Sequence, residues 1–106
     1  MAALWERYKG TMNARMSVIE GATSRLLEGA LTDMERKNAH GEAHKLAGSI
    51  GTFGYLAASQ LAREVEELLA RDGPLADADA SRLSDLARRL RFEMDQAAAS
   101  PAGDVP

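Results

Sequence analysis

The sequence predicts an all-helical domain, an antiparallel up-down bundle of four helices. Alanine (20) and leucine (13) outnumber the nine valine, isoleucine and threonine residues by more than three to one, so strong helix formers dominate over strand formers. Apolar residues recur at spacings of three and four in successive stretches separated by short glycine- or proline-containing breaks, the pattern of helices that each bury one face. At 106 residues the chain has the length of one domain, for which four helices with short connections are a natural solution.

The first stretch runs from about Ala3 to Glu28, with Met12, Met16, Ile19, Thr23, Leu26 and Ala30 on one face. Trp5 and Tyr8 begin a similar stripe before Gly10, which allows a short extra N-terminal helix kinked off the longer one. Gly29 serves as terminator. Thr32-Asp33-Met34-Glu35 then reads as a capping box that opens the second helix, whose inward stripe is Ala39, Ala43, Leu46 and Ile50. Gly51-Thr52-Phe53-Gly54 is expected to stop it and reverse the chain. The third helix starts at Leu56 and buries Ala58, Leu61, Ala62, Val65, Leu68 and Leu69, with Asp72-Gly73-Pro74 as its end. The fourth begins near Asp77 and buries Leu83, Leu86, Leu90 and Met94. The bundle is thus expected over residues 1–99, and residues 100–106, with two prolines and a glycine, form a flexible tail or linker.

Composition narrows the function. With 45% hydrophobic and 27% charged residues the chain is globular and not disordered. Its apolar stretches fall short of the roughly 18 residues that span a bilayer, and the N-terminus lacks the basic and apolar regions of a secretory signal. Cysteine is absent, which removes disulfides, thiolate metal sites and a cysteine nucleophile and fits a cytoplasmic location. A net charge of −3 argues against nucleic acid as a partner.

Two histidines, His40 and His44, stand four residues apart on the second helix and point to the same side. A zincin needs a glutamate directly after the first histidine; here Glu42 comes two residues on and points away. A zinc deaminase would also need a cysteine pair. Neither a phosphate loop nor a dinucleotide signature is present, because Gly48-Ser49-Ile50-Gly51-Thr52-Phe53-Gly54 follows a helix and lacks the Gly-Lys-Ser/Thr ending. No metal and no cofactor is expected. The same-face neighbours of His44 are His40, Gly41, Ala47 and Gly48, three of them with little or no side chain. Glycines in a helix interior cost about 1 kcal/mol each relative to alanine. They serve either close helix packing or the approach of something to the imidazole. His40 reads as a solvated residue. A histidine with its ordinary pKa of about 6.5 is mostly neutral at physiological pH and is a nucleophile without a separate base. A bare nucleophile with no nucleotide site is a group carrier.

The run Glu42-Ala43-His44-Lys45-Leu46-Ala47-Gly48-Ser49-Ile50-Gly51-Thr52-Phe53-Gly54-Tyr55, followed by Leu61-Ala62-Arg63-Glu64-Val65-Glu66, resembles the histidine-containing phosphotransfer (HPt) domain, a family that includes the phosphotransfer domain of chemotaxis histidine kinases. The resemblance implies a phosphorelay carrier in two-component signalling, not an autonomous kinase. It makes His44 the phosphoacceptor, through Nε2, exchanging phosphate with a response-regulator receiver aspartate. Gly48 would give that partner access, and Glu66 would orient the imidazole through its other nitrogen. A hairpin turning near residues 52–53 puts Glu66 about five residues further from the turn than His44, roughly 7 Å, a gap that the lean of helical side chains narrows. Many relatives carry a lysine three residues after the histidine; here that position is Ala47, and Lys45 is the expected source of charge, with Arg63 a further candidate if its face adjoins the site. The implied partners are a receiver domain, whose own acidic pocket would hold Mg2+, or a sensor histidine kinase, with the chain acting as a monomer. The alternative is an HPt-like module that docks such a partner without carrying phosphate.

Overall fold

The structure, a computed structural model, describes residues 2–99; the expected tail at 100–106 and the Trp5 side chain lie outside the described residues. Four helices follow one another: α1 (Ala2–Leu27), α2 (Asp33–Thr52), α3 (Leu56–Leu69) and α4 (Asp77–Ala99). Each packs on its neighbour in sequence, and α4 closes back on α1. The result is the expected antiparallel bundle, with α2 and α3 sharing the most extensive seam.

The predicted stripes build the core. Met12, Met16 and Ile19 of α1, Leu46 and Ile50 of α2, Val65 of α3, and Leu83, Leu86 and Leu90 of α4 are all at most 2% exposed. Each such side chain contributes roughly 1.5–3 kcal/mol on leaving water. Ala39, Ala43, Ala58 and Ala62 are equally buried; their short side chains let the backbones of α2 and α3 approach closely. Leu26 and Leu61 are only partly buried and pack against the edge of this core. Ala30 is exposed, not buried, because Gly29 adopts φ +71° and turns the chain away from the helix axis before it.

Three element boundaries bear on the sequence reading, and the first and third depart from it. First, α1 is one helix through Gly10, with no separate N-terminal element. The cost of one helical glycine is about 1 kcal/mol, less than the burial of Met12 and Met16 just beyond it returns. Second, α2 ends at Thr52, inside the Gly51–Gly54 stretch expected to stop it. Thr52 Oγ1 donates to Gly48 O at 2.9 Å, and the reversal falls at Phe53–Gly54, where Gly54 takes φ +87°. Third, α3 ends at Leu69, before Asp72-Gly73-Pro74. Arg36 of α2 explains the early stop: Nε donates to Leu69 O at 3.0 Å and Nη1 to Gly73 O at 2.7 Å, and Nη2 reaches Arg71 O. A cation there satisfies carbonyls that the ending helix leaves open. On the opposite side, Arg91 of α4 donates twice to Glu20 of α1, at 3.1 and 2.8 Å, and once to Asn13 at 2.9 Å.

The capping box at the start of α2 is complete. Glu35 N donates to Thr32 Oγ1 at 3.1 Å, and Thr32 N donates to Glu35 Oε1 at 2.9 Å. The Thr32 N–H holds the Glu35 carboxyl below the usual glutamate range, with Arg25 adding to the effect. A carboxyl with a depressed folded pKa stabilises the fold above its unfolded pKa, and the contribution disappears as pH falls through the folded value. Thr32→Ala is therefore expected to lower stability by about 1 kcal/mol at neutral pH. Glu35→Gln is expected to flatten the acid limb, so that thermal melts taken from pH 6 down to pH 3 converge with wild type at the acid end.

Candidate functional site

The α2–α3 hairpin places the candidate residues. His44 follows buried Ala43, one step round the helix from the inward stripe, and its side chain is 72% exposed. Its Nδ1 lies 2.8 Å from Glu66 Oε2. Glu66 follows buried Val65 on α3 and is itself only 24% exposed, so its carboxylate is held at the seam and not free to swing into water. The contact is closer than the roughly 7 Å offset inferred from a turn near residues 52–53. The connection between α2 and α3 is centred on Gly54, so His44 stands 10 residues before it and Glu66 12 after, a short offset that the two side chains span.

An ionised carboxylate only accepts hydrogen bonds, so this contact is a hydrogen bond in the imidazole forms that carry a proton on Nδ1.

His40 departs from the reading of a solvated residue. It is half-buried, with Nε2 3.8 Å from the same Glu66 oxygen. Its spacing of one helical turn from His44 was the available signal. Both histidines line one open depression together with Ala47, Gly48, Arg63 and Glu66. The Arg63 face therefore adjoins the site. Lys45 points elsewhere: its Nζ is 3.8 Å from Glu42 Oε1, and it does not line the depression. Glu42 also pairs with Arg15 at 3.6 Å, away from the histidines as expected.

The helical glycines separate into two kinds. A Cβ added at Gly51 would lie 3.0 Å from Ser59 Oγ, whereas one at Gly41 or Gly48 would meet nothing within 4 Å. Close packing therefore accounts for Gly51 but not for Gly41 or Gly48. Among the described residues no cluster of three or more His, Cys, Asp or Glu side chains could hold a metal ion, and no helix is long and apolar enough to cross a membrane.

The four-helix bundle thus shows an exposed imidazole, His44, in contact with a carboxylate on the facing helix. The Hpt domain model matches residues 3–100, and the chain belongs to that family. Over 107 aligned residues it is 29% identical to Protein RcaC of Microchaete diplosiphon, an alignment that covers 96% of this chain and 16% of that protein. The chain thus spans about a sixth of this relative's length. No solved structure matches it significantly. Hpt domains are phosphotransfer carriers and not kinases, and they act with receiver or kinase domains of two-component systems. A two-component phosphorelay role follows for this chain.

Proposed function

We propose that the chain accepts a phosphoryl group on His44 Nε2 and exchanges it with the aspartate of a response-regulator receiver. The observation that carries this reading is the 2.8 Å contact between His44 Nδ1 and Glu66 Oε2. In the transfer the Nε2 lone pair attacks phosphorus, the N–P bond forms, and the aspartyl O–P bond breaks with its electron pair leaving on the carboxylate. Nε2 carried no proton, so none has to depart. The product is a phospho-imidazolium that retains its Nδ1 proton, and the adjacent Glu66 carboxylate offsets its positive charge. Gly48, which leaves open space one turn along from His44, admits the partner's acidic pocket, and Mg2+ belongs to that pocket. Donor and acceptor chemistry beyond the imidazole resides in the partner.

The test is incubation with a phosphorylated receiver. Acid-labile, base-stable phosphate should appear on the chain, and 15N-edited spectra should place it on Nε2. Glu66→Ala should slow transfer about tenfold or more, as expected for one hydrogen bond to a charged group, and should yield a mixture of neutral tautomers. The absence of lysine at Ala47 favours a second reading, docking without phosphate. A chain that binds a receiver but forms no phosphohistidine with any donor would establish that instead.

A further inference from the structure

We propose that Arg63, reaching across from α3, is the cation that binds the phosphoryl group on His44; this rests on His44 being the acceptor. The register of the hairpin gives the first argument. His44 faces Glu66; three residues further along α2 and three back along α3, Ala47 comes opposite Arg63; four more on each helix, Gly51 meets Ser59. Arg63 therefore stands across from the position where a long basic side chain on α2 itself is missing. Ala47 offers a methyl and Gly48 nothing, and both line the same depression as His44 and Arg63. The space a guanidinium would cross is unfilled.

Charge gives the second argument. Glu66 and Glu67 both border the depression, and a phosphoryl group adds about −1.5 to −2 more. Among the described residues that line it, Arg63 is the one side chain cationic at every pH. It is exposed and forms no ion pair or side-chain hydrogen bond with the described residues, although Glu67 lies only one turn away. Lys45, by contrast, is directed to Glu42. An unpaired guanidinium presents a planar fork that holds two phosphoryl oxygens at once, so Arg63 favours the phosphorylated state of His44 over the free one.

The experiment reads the equilibrium constant for phosphoryl exchange between the whole chain and a phosphorylated receiver, at catalytic levels of complex. An equilibrium between the free partners does not depend on how well they dock, so a merely structural or docking role for Arg63 would not move it. Arg63→Ala and Arg63→Gln should each lower the phosphohistidine fraction about tenfold and shift its 31P resonance, with melting temperature unchanged. Arg63→Lys should restore part of the loss, and Lys45→Ala should have no effect. An unchanged constant in both neutral Arg63 variants overturns the proposal, as does a fall confined to Lys45→Ala. Wild type that forms no phosphohistidine overturns the acceptor assignment itself, a failure separate from either of these.

Discussion

His44→Gln is expected to accept no label above background from a phosphorylated receiver, while the bundle melts where wild type does. The side chain is 72% exposed and belongs to no part of the core, so little packing is lost with it. Its one strong contact is to Glu66, and removing a partner from a half-buried carboxylate would ordinarily be costly. Here the glutamine amide can donate in place of Nδ1–H, and His40 Nε2 already stands 3.8 Å from the same oxygen. What glutamine cannot supply is a basic lone pair at the Nε2 position, and without it no N–P bond forms. Quantitative phosphoprotein gels with His40→Gln as the companion variant check this. Label on His44→Gln equal to wild type would show that the acceptor is another group.

Gly48→Leu is expected to separate stability from function. A Cβ at this position meets nothing within 4 Å, and leucine is a better helix former than glycine by about 0.5–1 kcal/mol. The variant should therefore melt at or above the wild-type temperature. Yet its side chain would rise one turn from His44, across the floor of the depression, where a receiver must bring its aspartate within reach of Nε2. A displacement of even 1 Å in reacting groups costs about 100-fold in rate, and receiver-dependent transfer should fall by at least that factor. Phosphoramidate, a donor small enough to pass the new side chain, should still label His44 within a few fold. Transfer from the receiver at the wild-type rate would remove Gly48 from the site.

Much of this was legible in the sequence, because the fold rests on periodic apolar stripes and one local cap. Met12, Met16 and Ile19 repeat at helical spacing, as do Leu83, Leu86 and Leu90, and Thr32 and Glu35 form their reciprocal pair within four residues of chain. Boundaries set by tertiary contacts were not legible. Nothing local in the sequence says that Arg36 would reach 33 residues along to satisfy Leu69 O and end α3 early. The turn lies between one and two residues beyond the position expected, which exaggerated the offset between His44 and Glu66 along the hairpin. His44 stood out because small residues surround it on its own helix. The proximity of His40 to Glu66 and the approach of Arg63 depend on the partner helix, whose rotation no short motif encodes.

Ser59 gives the hairpin a detent. Its hydroxyl is bonded to Ala47 O at 2.9 Å and sits in the notch left by the missing Gly51 methyl. Shifting the register by one residue, a screw motion of about 1.5 Å and 100°, would unseat that hydroxyl and turn the neighbouring side chains off the seam. The register that brings His44 opposite Glu66 is therefore held at a knuckle nearly two turns away from the imidazole. Sequence drift can reshape the outer surface to suit a new visitor while that register stays locked.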